Sequence, residues 1–178
     1  MDISSHERSI WIQSALLIPK VGRKTVHRIL DSLPGDMTER DQFIEHLVTN
    51  CGSIPRYPGV ERGELEALFE QAENLLAQTE QLPGGKVLSF YDFPDRLKTM
   101  LDPPLLLHCL GDDALLGARS AAVIGTRHPT GYGQHCACEF GKILTEQGRV
   151  VVSGLALGCD TGGHQGCLDG GGRTIAVL

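Results

Sequence analysis

Three short apolar runs in the second half of the chain, Ala121 to Ile124, Val150 to Val152 and Thr174 to Leu178, alternate with two longer helix-like stretches. Apolar runs of this length, separated by crossover-sized segments, predict parallel strands buried on both faces. The first strand runs directly into Gly125-Thr126-Arg127 and the second into Ser153-Gly154. Both loops are therefore expected at the carboxyl edge of the sheet, where open α/β folds bind their ligands. An arginine in the first loop points to an anionic ligand.

Upstream the period is helical. Ser4 to Leu17 carries apolar positions at helical spacing, with Ser4 or Ser5 as the N-cap. Pro19 and Gly22 bracket a tight turn, and Thr25 to Leu33 returns to helix with Val26, Ile29, Leu30 and Leu33 on one face. Pro34-Gly35 ends it, and Thr38 with Asp41 resembles a capping box for a helix reaching about Thr49. Cys51 to Arg62 reads as a loop. Glu64 to Gln81 reads as a long amphipathic helix with Leu65, Leu68, Ala72, Leu75 and Leu76 inward. Leu82-Pro83-Gly84-Gly85 is a breaker and marks the expected domain boundary. Strands follow at Lys86 to Phe90 and Leu105 to Leu110, around a short helix between Asp92 and Met100, with a helical turn at Asp113 to Leu116. The pattern gives an α/β chain: a small all-α domain over 1–84, of helix-hairpin-helix or SAM-like type, then a partial Rossmann-like parallel sheet over 85–178.

Composition narrows the class. The chain has 178 residues, 41% hydrophobic and 21% charged, enough to bury a core rather than stay disordered. No apolar run approaches a membrane span and no signal peptide is evident, so a cytoplasmic protein is expected. The six cysteines are scattered among strand and helix positions, which favours reduced thiols over a disulfide framework. The net charge of −6 argues against bulk attraction to nucleic acid, yet two windows, Ile18 to Leu30 and Arg119 to Cys138, hold basic residues and no acid. Both lie at glycine turns.

In the first window, helix, Pro-x-x-Gly turn and a second helix opening on basic residues resemble a helix-hairpin-helix motif. Its backbone N–H groups with Lys20, Gly22, Arg23 and Lys24 would hold DNA phosphates without reading bases. The usual first glycine of that hairpin is Lys20 here. The alternative is an αα-hairpin that only packs.

In the second window, Gly125 lets the backbone approach a ligand, Thr126 offers a hydroxyl and an N–H, and Arg127 offers a planar fork suited to phosphate. Gly131-Tyr132-Gly133 opens a helix over Gln134 to Gln147, whose N-terminus carries partial positive charge. Tyr132 either stacks on a base or packs at the helix start. Ser153 and Gly154 repeat the arrangement one strand on, with a second phosphate on the hydroxyl and N–H groups, unless the turn is only structural. Asp160 and His164, four apart, are read as a helix cap and a hydrogen-bonded histidine at the groove's edge rather than metal ligands. Cys136 and Cys138 diverge on a helix and cannot chelate together. No metal, cofactor or catalytic residue is assigned. The G-x-G-x-x-G dinucleotide pattern is missing, and Ser153 has no recognisable triad partners.

Four segments carry a resemblance: FYDFPDRLKTMLDPPLLLHCLGD (Phe90 to Asp112), AAVIGTRHPTGYG (Ala121 to Gly133), VVSGLALGCDTGGH (Val151 to His164) and GGRTIAVL (Gly171 to Leu178). In that order they are similar to the DNA-processing protein A family, also called DprA or Smf. The resemblance implies a Rossmann-like domain that binds single-stranded DNA at the sheet's carboxyl edge, protects it, and hands it to the recombinase RecA during natural transformation. It implies Gly125, Thr126 and Arg127 as a phosphate loop, Ser153, Gly154 and Leu155 as a second, and Asp160 and His164 as a third. It also implies a homodimer in full-length members. Departures are Leu157 where a basic residue is common, Cys159 where Ile is common, and Gly163 where Ala is usual. The chain stops at Leu178 inside an expected central strand, so truncation within the domain is expected, with the dimer and RecA surfaces beyond it. The rival functions are a nucleotide-sensing or nucleotide-hydrolysing Rossmann-like protein and a non-functional remnant.

Overall fold

Ser4 caps the first helix as its residue type suggests: its hydroxyl accepts the Glu7 N–H at 3.1 Å, and α1 runs Ser5–Leu17. The computed structural model describes residues 3–35, 37–51 and 59–178. Four helices build the first half: α1, α2 (Arg23–Asp31), α3 (Arg40–Cys51) and α4 (Arg62–Glu80). Their apolar faces meet in one core that includes Trp11, Ile12, Val26, Phe43, Leu65 and Leu76. Phe69, buried on the glutamate-rich α4, belongs to it as well. The expected capping box at Thr38 and Asp41 is displaced by one residue. Helix α3 opens at Arg40, and the Gln42 side-chain oxygen accepts the N–H groups of Thr38 and Glu39, each at 3.2 Å. Of the expected loop from Cys51 to Arg62, residues 52–58 lie outside the described residues; Cys51 ends α3 and Arg62 opens α4.

The turn between α1 and α2 explains the lysine that stands in place of the hairpin's glycine. Lys20 has φ 66, so the left-handed conformation is required there and is adopted without a glycine.

The breaker at Leu82 to Gly85 becomes the turn from α4 into β1 (Gly85–Ser89), which pairs antiparallel with β2 (Leu106–Leu110) from Gly85 opposite Leu110 to Ser89 opposite Leu106. A 3-10 turn over Phe90–Asp92 and a short helix, α5 (Asp95–Lys98), fill the expected helical stretch. This antiparallel pair packs against α1 and α4. Compactness thus divides the chain into units Met1–Asp113 and Ala114–Leu178 rather than at the breaker.

A 3-10 turn, Asp113–Gly117, spans the division, and the second unit contains β3 (Ser120–Ala122), α6 (Gly131–Glu146), β4 (Val150–Ser153), α7 (Cys159–Asp169) and β5 (Thr174–Ala176). The strands form a parallel sheet in the order β3-β4-β5, with Ala121 opposite Val151 and Val151 opposite Thr174. Helices α6 and α7 pack on each other and on β4, which places both on one face. Their contact is built on missing side chains. A Cβ on Gly166 would overlap the Cys138 carbonyl, and one on Gly141 would overlap that of Gly163. A Cβ on Gly162 would lie 2.9 Å from that of Ala137.

Candidate nucleic-acid interface

The two loops that the sequence places at the carboxyl edge do lie against each other. The N–H of Cys159 donates to the Thr126 carbonyl at 3.1 Å. Gly158, at φ 85, approaches so closely that a Cβ there would overlap the Thr126 carbonyl and stand 2.8 Å from the Arg127 carbonyl carbon. Gly125 is packed under Cys159, whose Cβ and Sγ would each be 2.7 Å from an added Cβ. Glycine is needed at Gly158 twice over, for its conformation and for this approach.

The first loop is exposed. Arg127 makes no ion pair or hydrogen bond among the described residues, and neither do the N–H groups of Gly125, Thr126 and Arg127. The Thr126 hydroxyl accepts the His128 N–H at 3.1 Å, which curls the loop and leaves the O–H as a donor. Thr130 caps α6 by accepting the Gly133 N–H at 3.1 Å. That bond takes the Gly133 donor but leaves the helix's positive end facing the loop. Tyr132 is 79% exposed, with its ring in solvent. A hydrogen bond with Cys136, one turn on, holds its phenol above the ordinary pKa.

The second loop is used differently from the expectation. The Ser153 hydroxyl is buried and donates to the Val123 carbonyl at 2.6 Å, so it ties the tips of β3 and β4 together and is not available to a phosphate. The Gly154 N–H donates to Asp160 Oδ2 at 3.2 Å and is likewise taken. Asp160 is 7% exposed and does not cap a helix beginning at Thr161. Helix α7 starts earlier, at Cys159, because Gly158 turns the chain first, so the carboxylate reaches back to the loop instead. What the second loop does present is backbone: among the described residues the N–H groups of Leu155, Ala156 and Leu157 are unpaired. Leu155 stands among them at φ 57. A left-handed residue within a run of free N–H groups is the element from which anion nests are made. It costs about 1–2 kcal/mol for a residue with a Cβ.

His164 is withdrawn from the groove. It is buried, its Nδ1 lies 2.6 Å from Thr174 Oγ1, and that hydroxyl donates to the Val151 carbonyl at 2.8 Å. The histidine therefore fastens α7 to β5 and β4. Nε2 is buried without a partner among the described residues.

In the first unit, Arg23 is engaged by Asp102 in an ion pair, a partner 79 residues away that no local pattern reveals. Lys20, Gly22 and Lys24 remain exposed at the α1–α2 turn. Among the described residues no cluster of His, Cys, Asp and Glu is able to hold a metal ion. Cys109, Cys136, Cys138, Cys159 and Cys167 are free thiols. No helix among the described residues is long and apolar enough to cross a membrane.

A clamp of this kind is testable through stability. Asp160→Ala removes the buried carboxylate that accepts the Gly154 N–H, a bond to a charged group worth about 1.5–3 kcal/mol. Asp160→Asn keeps an acceptor and should lose less than half of that. Urea denaturation followed by circular dichroism separates them, and equal losses would show that the carboxylate acts by charge rather than as the acceptor.

The family model for DNA recombination-mediator protein A matches residues 87–178, more than half of the chain. The chain is 35% identical over 119 residues to the DNA processing protein DprA of Bacillus subtilis, covering 66% of this chain and 40% of that protein. It is 36% identical over 118 residues to a putative DNA processing protein DprA of Mycobacterium tuberculosis, covering 65% and 30%. The crystal structure of DprA from Streptococcus pneumoniae superposes with a TM-score of 0.67 at 24% identity, covering 99% of this chain and 58% of that one, a likeness of fold. The chain belongs to the DNA recombination-mediator protein A family. It spans less than half the length of these curated relatives.

Proposed function

We propose that this chain binds the sugar-phosphate backbone of single-stranded DNA across the two adjacent strand-tip loops, without catalysing a reaction on it, in the cytoplasm. One observation carries the reading. An exposed arginine with no partner among the described residues stands beside two runs of backbone N–H groups, likewise unpaired among them, that the packing of Gly158 against Thr126 holds together. A guanidinium and unpaired N–H groups at one sheet edge suit a phosphate, and repeated at neighbouring strand tips they suit successive phosphates of one strand. Gly125, Thr126 and Arg127 form the first contact, the backbone of Leu155 to Leu157 the second, and Tyr132 offers a stacking face. Lys20, Gly22 and Lys24 are a secondary phosphate contact, with Arg23 held by Asp102. The family's description as a recombination mediator supports extending the reading to handover of the strand to the RecA recombinase in natural transformation, with a homodimer proposed for full-length members only.

The test is a titration of a fluorescent single strand at several salt concentrations. Arg127→Ala is expected to weaken binding about tenfold for every sequence, and to reduce the slope of log K against log salt by ~0.7, the share of one phosphate on a single strand. Unchanged affinity and slope would remove Arg127, and with it the cradle.

A further inference from the structure

The second loop holds two leucines that each leave more than half of their surface in solvent. Leu155 is 56% exposed and Leu157 73% exposed, on either side of Ala156, whose carbonyl is fixed by the Thr161 N–H at 3.2 Å and by the Thr161 hydroxyl at 2.7 Å. Single exposed leucines are ordinary on protein surfaces. These two differ in being held. The loop between them is anchored to α7, Leu155 adopts a left-handed conformation that disfavours any side chain, and Leu157 adjoins Gly158, the residue pressed against Thr126 and Arg127. The exposed leucines therefore lie at the same sheet edge as Arg127, which has no partner among the described residues.

We propose that Leu155 and Leu157 form an apolar rim that contacts the nucleobases of a single strand whose phosphates occupy the cradle; the proposal rests on that reading of the site. The occupant follows from what surrounds the pair. Two leucines separated by one residue, beside a cation and free N–H groups, are too small and too polar in setting for a protein interface, which needs roughly 800 Å² on each partner. An unstacked base offers a flat apolar face within one nucleotide of an anionic phosphate, and so matches both halves of the edge at once. Contact of this type tolerates any base, because each has such a face.

The experiment compares a thymidine oligonucleotide of roughly 20 nucleotides with an abasic strand of equal length and charge, a span longer than a single-strand site. The wild-type chain is expected to prefer the base-bearing strand. Leu157→Ser, and Leu155→Asn, which is at ease in the left-handed conformation, are each expected to lower affinity for the thymidine strand about fivefold, the effect of withdrawing a partly covered leucine. The loss on the abasic strand should be clearly smaller, because both variants keep the backbone N–H groups offered to the phosphates. Arg127→Ala should weaken both strands alike, so the cradle and the rim are read separately. Equal affinity of the wild type for both strands would overturn the rim, as would equal loss on both strands in the leucine variants. A wild-type dimer in sedimentation that Leu157→Ser dissociates would give the leucines to a second copy and overturn it also. Failure of the wild type to bind either strand removes the cradle and the rim together.

Discussion

Gly166→Ala is expected to destabilise the parallel unit by about 3 kcal/mol or more, the upper end of what overpacking costs. Two effects compete. Alanine in a helix interior is favoured over glycine by roughly 1 kcal/mol, so on propensity alone the change would stabilise α7. Against this, the new methyl overlaps the Cys138 carbonyl oxygen and would stand 2.6 Å from its carbon, and a backbone carbonyl inside α6 has no rotamer through which to escape. The helices must separate. Separation breaks the contact of Thr145 Oγ1 with Cys167 Sγ at 3.1 Å, and loosens the pull of α7 on both binding loops through Asp160 and Cys159. Hydrogen exchange of the β4 amides should quicken about a hundredfold, the equivalent of ~3 kcal/mol. Gly131→Ala is the control. Nothing lies within 4 Å of its added Cβ, and it should be neutral or mildly stabilising. Unaltered protection of β4 in Gly166→Ala would mean that α6 and α7 are not in the contact described.

That helix contact was open to sequence reading, and the binding edge only partly so. Glycines 162 and 166, four apart, share one face of a helix, a spacing that signals close backbone approach. The strand tips and their glycine turns were legible because a buried parallel strand is a short apolar run and its ligand loop begins where the run ends. The direction of each donor was not. Ser153-Gly154 reads alike whether the hydroxyl faces solvent or the Val123 carbonyl, and only the β3–β4 register decides it. Asp160 reads as a cap until Gly158 turns the chain two residues earlier. The left-handed state of Leu155 leaves no trace in a leucine. The loss of Arg23 to Asp102 depends on a tertiary contact that composition windows do not register. Arg127 alone among the expected cationic contacts of the second unit keeps in three dimensions the freedom that its local sequence suggests.

Phe43→Ala is expected to cost the helical unit about 3–5 kcal/mol, the range for truncating a buried aromatic. Phe43 is fully buried, stacked on Trp11 with centroids 4.7 Å apart and planes at 14°, and meets Phe69 edge-on at 6.1 Å and 85°. Removing the ring loses its transfer energy and both aromatic contacts, and leaves a cavity between Trp11 on α1 and Phe69 on α4, which cannot both close on it. Trp11 is the sole tryptophan of the sequence, so its fluorescence reports this core. With a urea slope of about 2 kcal/mol per molar, the midpoint should fall by ~2 M. Val48→Ala, at a residue 38% exposed on the same helix, should change stability by less than about 0.5 kcal/mol. A shift in Phe43→Ala no larger than in Val48→Ala would mean that the three rings do not form one packed cluster. Because Arg40 lies over Phe69 at 4.7 Å and pairs with Glu73, loss of Phe43 should also free that guanidinium, and the ion pair on the surface of α4 should loosen with the core beneath it.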